Sequence, residues 1–479
     1  MNTEYLNRAV RRARERGIVI PTFAELRDPS RIPESTRKRL AGIGMQDVHP
    51  LNLFRITWKN DVHTGLFGDV NSLEFPSELT GVPCRIVGLV GRHFPTGAHK
   101  VGAAFGCLVP RLVSGAFDPT SQKAVWPSTG NFCRGGAFDC ALLGCRAVAI
   151  LPEGMSRERF EWLHSIGAEI IATPGSESNV KEIYDKCREI RQSRQDHVIL
   201  NQFDEFGNSV WHYHVTGGAI EEVFQRVKNR GERLAGFVSA TGSAGTIAAG
   251  DYLKAKYPWV TVAAAESLEC PTLLRNGFGT HQIEGIGDKH VPWIHNVRNT
   301  DIVVAVHDGL CLRLLRLFNE DDGRAFLLEA GIPPECVESL PLLGISGIAN
   351  LIASIKVAKY YELDERDLLF TVLTDSAELY QSRLVELRER HGPYGRRSAE
   401  LDWLAGLLGV GTDSMRELGY YDRKALHNLK YFTWVEQQGK SVEDLNRLWT
   451  REFWDATYSQ VEEWDERICA FNERVRSGM

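Results

Sequence analysis

The side chain with the most evident chemistry is Lys100, in the run Phe94-Pro95-Thr96-Gly97-Ala98-His99-Lys100-Val101-Gly102. It closes a Pro/Gly-lined turn at the mouth of an apolar-periodic segment. A lysine held there partly out of water has a lowered pKa, so its amine is a free nucleophile near neutral pH and can condense with an aldehyde. Taken alone, the turn fits a solvated lysine at a helix start equally well. Its weight comes from three downstream segments able to hold the rest of one cofactor.

The first is Pro127-Ser128-Thr129-Gly130-Asn131, between Ala124-Val125-Trp126 and a run of small residues, Gly135-Gly136-Ala137. Backbone N–H groups and hydroxyls at such a helix start cradle a carboxylate; a plain helix N-cap is the alternative. The second, Gly242-Ser243-Ala244-Gly245-Thr246, follows the strand-like Phe237-Val238-Ser239-Ala240 and opens a helix. Close backbone approach and the helix dipole favour a phosphate there. It matches neither the nucleoside-triphosphate pattern Gly-x-x-x-x-Gly-Lys-Ser/Thr nor Gly-x-Gly-x-x-Gly. The third, Gly344-Ile345-Ser346-Gly347-Ile348-Ala349-Asn350, begins another helix and can aim one hydroxyl at a ring nitrogen, or use Ser346 as a cap.

The elements that must position these turns alternate. Val101, Ala104, Phe105, Leu108, Val109 and Leu112 recur at helical spacing, whereas Ala147-Val148-Ala149-Ile150-Leu151 is a short apolar run of the kind buried on both faces. Ser156 to Ile166 reads as a helix and Glu169 to Ala172 as a strand. Further strands are expected at Val260 to Ala265, Ile302 to Val306 and Leu368 to Leu373. Such alternation predicts an α/β fold with mostly parallel sheets covered by helices, with ligands at the carboxyl ends of the strands. Residues 1 to about 50, broken at Pro21, Pro29 and Pro33, predict a helical arm or cap. From about 391 onward the chain reads as all-helical, with Ser441-Val442-Glu443-Asp444 capping a last long helix whose apolar stripe runs from Leu445 to Ile468. That stripe must pack on something, either a second subunit or the main body.

Composition narrows the class. With 479 residues, 43% hydrophobic and 25% charged, the chain can fill two or three domains. A net charge of −6 argues against nucleic acid or an anionic membrane as the main partner, and Arg11-Arg12-Ala13-Arg14-Glu15-Arg16 reads as a solvated helix face. No run approaches the roughly 20 apolar residues that span a bilayer, and Met1-Asn2-Thr3-Glu4 lacks the layout of a secretion signal, so a cytoplasmic protein is expected. Ten cysteines without a Cys-x-x-Cys pair signal neither a metal site nor a disulfide framework.

Taken together these segments resemble the fold-type II pyridoxal 5′-phosphate enzymes, above all cysteine synthase and cystathionine β-synthase. The likeness spans roughly Phe75 to Tyr380. It includes Gln202-Phe203-Asp204 with His212-Tyr213-His214-Val215-Thr216-Gly217, His281-Gln282-Ile283-Glu284-Gly285-Ile286-Gly287 with Val291-Pro292, and Thr374-Asp375-Ser376. The wording Gly97-Ala98-His99-Lys100 is nearer to tryptophan synthase β-chains. The resemblance implies two three-layer αβα domains with mostly parallel sheets plus the helical C-terminal extension. Their expected bounds are 51–101 with 218–390 for the large cofactor domain, 102–217 for a small mobile substrate domain, and 391–479 for the extension. It further implies that Lys100 holds pyridoxal 5′-phosphate as a Schiff base and that Asn131 bonds the ring hydroxyl. Gly242, Ser243, Ala244, Gly245 and Thr246 then bind the phosphate, and Ser346 the pyridine nitrogen. Ser128, Thr129, Gly130 and Gln202 take the substrate carboxylate. A homodimer acting on a small amino acid is expected.

The sequence departs from the family at three places. Ala244 stands for the middle glycine of the phosphate loop, Gly347 for a second serine, and Phe132-Cys133-Arg134 for the usual Thr-Gly after Asn131. Arg134 is placed to meet an acidic group on the substrate by a bidentate contact, or else to point to solvent. Gly-Asn-x-x-Arg-Gly also resembles diaminopropionate ammonia-lyase. The implied activity is β-replacement on an activated serine, of the O-acetylserine or O-phosphoserine type, through an aminoacrylate to cysteine or a related β-substituted alanine. A β-eliminating lyase releasing pyruvate and ammonia is the alternative. A non-catalytic protein on the same fold and a nicotinamide-dependent dehydrogenase are rivals from other classes; Lys100 disfavours both.

Overall fold

The computed structural model describes residues 2–128, 130–175 and 180–477. Eleven strands among them form two sheets: β1 (Ser72–Phe75), β2 (Arg85–Val90), β3 (Lys123–Pro127), β4 (Arg146–Pro152), β5 (Glu169–Thr173), β6 (His197–Ile199), β7 (Arg233–Ala240), β8 (Thr261–Ser267), β9 (Ile302–Val306), β10 (Asp367–Leu373) and β11 (Met415–Glu417). The larger sheet runs β1-β2-β10-β7-β8-β9-β11 and the smaller β5-β4-β3-β6. Every pairing is parallel except the two outermost of the larger sheet, β1 on β2 and β11 on β9. The reason is legible in β9 and β10: all of Ile-Val-Val-Ala-Val and all of Asp-Leu-Leu-Phe-Thr-Val-Leu are buried, which requires helices on both faces. Helix Ile345–Tyr360, buried from Ile345 through Ala358, supplies one such cover against β10, β7 and β9.

The strands expected at 147–151, 169–172, 302–306 and 368–373 form there, as does the helix expected over 156–166. Each turn singled out by its chemistry lies past the carboxyl end of a strand or at the start of a helix. Lys100 begins helix Lys100–Val113 beyond β2, and Asn131 begins helix Asn131–Leu142 directly after β3. Residues 241–247 join β7 to helix Ala248–Lys256. Helix Lys100–Val113 is pressed onto helix Phe206–Trp211: a Cβ on Gly106 would lie 2.2 Å from the Gly207 carbonyl oxygen, so no larger residue fits.

The ends of the chain meet each other. Asn472 pairs with the backbone of Ile20 through both amide atoms, at 3.0 and 2.7 Å. The Asp465 carboxylate accepts from Phe23 and Ala24 at the start of helix Phe23–Arg27. The C-terminal region packs on its own chain: Tyr458 stacks on Tyr213 with ring centres 3.9 Å apart, and Trp434, ahead of the stripe, donates to the Val291 carbonyl. Two expectations are corrected here. The region after 391 is not all helix, because Met415–Glu417 adds a strand to the larger sheet. Nor does Ser441 cap the last long helix. It caps the short Val442–Arg447, and Thr450 caps a separate helix, Arg451–Arg476, by accepting from Phe453 N–H.

Candidate active site

Lys100 stands at the first position of its helix, enclosed by protein but with part of its surface open. Burial lowers its amine to about 8, from an ordinary lysine value of about 10.4. Its Nζ donates to Ser243 Oγ at 3.1 Å. The surroundings are apolar and aromatic. His99 is fully buried, edge-on to His212 at 4.9 Å and beside Trp58, and burial keeps both imidazoles neutral.

A closed chain of contacts joins the separate turns. Ser243 Oγ also accepts from Asn208 Nδ2, which donates in addition to the Gln202 carbonyl, each at 3.0 Å. Gln202 Nε2 in turn donates to Ser128 Oγ at 3.3 Å, and Ser128 Oγ accepts from Gly130 N–H at 3.1 Å. Asn131 Nδ2 donates to Asp375 Oδ2 at 2.6 Å. Asp375 lies so close to Gly344 that a Cβ there would fall 1.9 Å from its Oδ1, and its carbonyl accepts from Gly344 N–H. The circuit therefore reaches Ser346, whose neighbour across the cleft is Gly285: a Cβ built on Gly285 would lie 3.9 Å from Ser346 Oγ, and one on Gly242 3.3 Å from the Gly285 carbonyl.

These contacts bring together Lys100, Ser128, Gly130, Asn131, Gln202, Gly242, Ser243 and Ser346; Ala244, Gly245 and Thr246 continue the same loop, and Arg134 lies on the helix that Asn131 begins. Thr129 lies outside the described residues. Among the described residues, no side chain caps the start of Asn131–Leu142 or of Ile345–Tyr360. Ala244 carries φ +59°, the left-handed region where glycine is at no disadvantage, which is the physical meaning of the family's usual residue there. Arg134 does not point to solvent; it is 4% exposed.

Several groups were not evident from the sequence. Asn208 buttresses both Ser243 and Gln202. Asp375 accepts from Asn131 and from Tyr380 OH, and burial raises its carboxyl despite nearby Arg159. Arg159 pairs with Glu284 at 2.8 Å, donates to Tyr380 OH, and lies against Gly130, where a Cβ would meet its Nη1 at 2.6 Å. The triplet Thr374-Asp375-Ser376 marked a strand end; nothing local in the sequence pairs its carboxylate with Asn131.

The fit to a phosphorylated pyridine aldehyde can be tested on the polar atoms left over. Ser346 Oγ, Asn131 Oδ1, Asn208 Oδ1 and Ser376 Oγ are buried without a hydrogen-bond partner. Buried polar atoms are nearly always satisfied, so a cluster of orphans around one reactive amine marks the place of a missing polar group. A hydroxyl at the start of one helix, an amide oxygen at another, and a small-residue loop before a third suit a ring nitrogen, a ring hydroxyl and a phosphate respectively.

The family described as pyridoxal-phosphate dependent enzyme matches residues 77–332, more than half of the chain. A cysteine synthase of Staphylococcus aureus is 30% identical over 289 residues, 60% of this chain and 84% of that one. A probable cysteine synthase of Bacillus subtilis is 27% identical over 289 residues, 60% and 85% of the two chains. Among solved structures, an O-acetylserine dependent cystathionine β-synthase from Helicobacter pylori superposes with TM-score 0.55 at 24% identity, covering 66% of this chain and 95% of its own. An O-acetylserine sulfhydrylase from Entamoeba histolytica gives 0.57 at 23%, covering 71% and 94%. At those identities the two structures speak for the fold.

Proposed function

The chain belongs to the pyridoxal-phosphate dependent enzymes, and from that premise we propose that it catalyses β-replacement on an activated serine, giving cysteine or a related β-substituted alanine. The observation that carries the reading is the Lys100 amine, lowered to about 8 and held 3.1 Å from Ser243 in the loop after β7. The curated relatives named above as cysteine synthases support the substrate class.

Bound in this site, pyridoxal 5′-phosphate supplies the electron sink that acidifies the Cα–H of an amino acid. The chain's own residues do the rest. Lys100 would hold the aldehyde, and its Nζ would accept the Cα proton as general base. Gly242 to Thr246 hold the phosphate and Asn131 the ring hydroxyl. Ser346 offers a hydroxyl to the pyridine nitrogen; unlike a carboxylate it does not keep that nitrogen protonated, which suits prompt loss of a β-substituent. Ser128, Thr129, Gly130 and Gln202 orient the substrate carboxylate. A cytoplasmic homodimer is part of the same proposal. Ten free cysteines fit a reducing compartment, and light scattering on the purified protein tests the assembly.

The test is product analysis with O-acetyl-L-serine, with and without sulfide, together with borohydride treatment and peptide mapping. Cysteine formed only when sulfide is present, with the reduced cofactor on Lys100 and no label in Lys100→Ala, is the expected result. Pyruvate and ammonia in equal yield under both conditions would replace this reading with the lyase.

A further inference from the structure

Arg134 is a buried charged side chain without a salt bridge among the described residues. It is 4% exposed, and its Nε and Nη1 are buried without a hydrogen-bond partner. Its guanidinium carbon lies 4.6 Å from the centre of the Trp162 ring. Neither nearby carboxylate hydrogen-bonds it: Glu284 pairs with Arg159 and Arg383, and Asp375, which attracts Arg134 across space, spends Oδ2 on Asn131 and Tyr380 while its Oδ1 meets no hydrogen-bond partner among the described residues. Arg159 adds a second positive charge to the same region. A buried guanidinium is stable when paired and hydrogen-bonded, and costly when it is not.

Its position relates that vacancy to the substrate. Arg134 lies one turn after Asn131 on helix Asn131–Leu142, and i, i+3 residues share a helix face. Long side chains on a helix lean toward its N-terminus, here toward Gly130 and Asn131. The next residue, Gly135, touches the start of the lysine's helix: a Cβ on it would lie 2.9 Å from the Lys100 carbonyl oxygen. The cation therefore stands on the helix that begins at Asn131 and packs against the backbone at the start of the lysine's helix.

We propose that Arg134 binds an anionic group carried on the β-substituent of the amino acid, so that the substrate is a phosphate ester such as O-phosphoserine rather than a neutral ester. The inference rests on the β-replacement reading and refines its substrate. As the Cα proton passes to Lys100, the C–H pair forms the Cα=Cβ bond and the Cβ–O pair leaves on the phosphate oxygen. Charge thus grows on the leaving group beside a preorganised planar donor. The same cation opposes an ammonium-bearing β-substituent such as that of diaminopropionate.

The experiment compares wild type, Arg134→Met and Arg134→Lys holoenzyme on O-phospho-L-serine, O-acetyl-L-serine and the carboxylate-bearing O-succinyl-L-serine. It measures kcat/KM with sulfide, dissociation constants from the cofactor absorbance, and urea midpoints. Wild type is expected to prefer the phosphate ester. Arg134→Met should lower the phosphate-to-acetate ratio of kcat/KM by about 30-fold or more, the effect of truncating one partner of a buried charge pair. Arg134→Lys, which keeps the charge without the fork, should fall between. Arg134→Met should also unfold at higher urea without ligand, because the unpaired charge is gone. A wild type that prefers O-acetyl-L-serine, or an Arg134→Met that loses stability and all substrates in proportion, overturns the proposal, and preference for O-succinyl-L-serine moves the anion from phosphate to carboxylate and overturns the phosphate assignment. If no substrate turns over, the β-replacement reading fails while the binding constants still decide the anion site: a 30-fold selective loss for O-phospho-L-serine upholds it, and equal binding overturns it.

Discussion

Asn131 and Asp375, 244 residues apart in sequence, meet through a 2.6 Å hydrogen bond from amide to carboxylate, both side chains buried. Asn131 stands just past β3 of the smaller sheet and Asp375 just past β10 of the larger. One contact therefore fixes the carboxylate cradle relative to the start of the helix bearing Ser346.

Removing the carboxylate should be costly. Asp375→Ala leaves Asn131 Nδ2 and Tyr380 OH without their acceptor, and at roughly 1–3 kcal/mol for each orphaned group the loss should be about 2–6 kcal/mol. Urea unfolding should show a lower midpoint with an unchanged slope, and weaker pyridoxal-phosphate binding. An unaltered midpoint would show that the bond contributes nothing.

The Lys100 amine should titrate early. Because burial lowers it to about 8, cofactor loading of the apoprotein should accelerate with pH around a midpoint near 8, and not near the ordinary ~10.4. The linkage has a definite sign. Between about 8 and ~10.4 the unfolded chain holds the proton that the folded chain has released, so apoprotein stability gains from this group as pH rises through that window. Loading rates by stopped-flow absorbance from pH 7 to 10.5 measure the first effect directly.

Ala244 carries strain at φ +59°. Ala244→Gly should stabilise the apoprotein by ~1 kcal/mol, since a left-handed conformation costs an L-residue about that much. Ala244→Val, β-branched at a positive φ, should lose more than the glycine gains. Thermal melts of the three proteins under one condition decide it; the order Val above Ala would contradict the assignment.

Asp139 is fully buried on helix Asn131–Leu142 with both carboxylate oxygens unpartnered, and burial raises its pKa far above the ordinary range. Above the unfolded value of about 3.9, the unfolded chain sheds a proton that the folded chain keeps, so this group costs stability increasingly as pH rises. Asp139→Val should therefore stabilise the protein by about 1–3 kcal/mol at pH 7. The gain should shrink toward zero as pH falls below about 4. A destabilised variant at pH 7 would mean the carboxyl makes an interaction that its burial does not reveal.

Much of the scaffold was legible because its signals are local. Apolar runs such as Ile302–Val306 can only be strands covered on both faces, and Gly344 or Ser128 at the edge of a periodic segment marks a turn. The C-terminal region was misread at two points for the same kind of reason. Met415–Glu417 is three residues long and carries no alternation of its own; it is a strand only because β9 offers an open edge. The stripe from Leu445 to Ile468 keeps its spacing across Leu448 to Thr450, so periodicity alone does not reveal the break that separates two helices.

The sequence by itself determined the alternating fold, and it picked out Lys100 and the three turns that the structure brings near it, because residue type and near-neighbour spacing specify backbone conformation. Only the tertiary structure decided which polar atoms are answered and which are not. Asn208 as a buttress, Asp375 as the acceptor for Asn131, and Arg134 as a buried cation whose Nε and Nη1 meet no hydrogen-bond partner among the described residues all depend on groups brought together from distant parts of the chain. Burial and hydrogen-bond satisfaction are properties of packing, and no local pattern carries them.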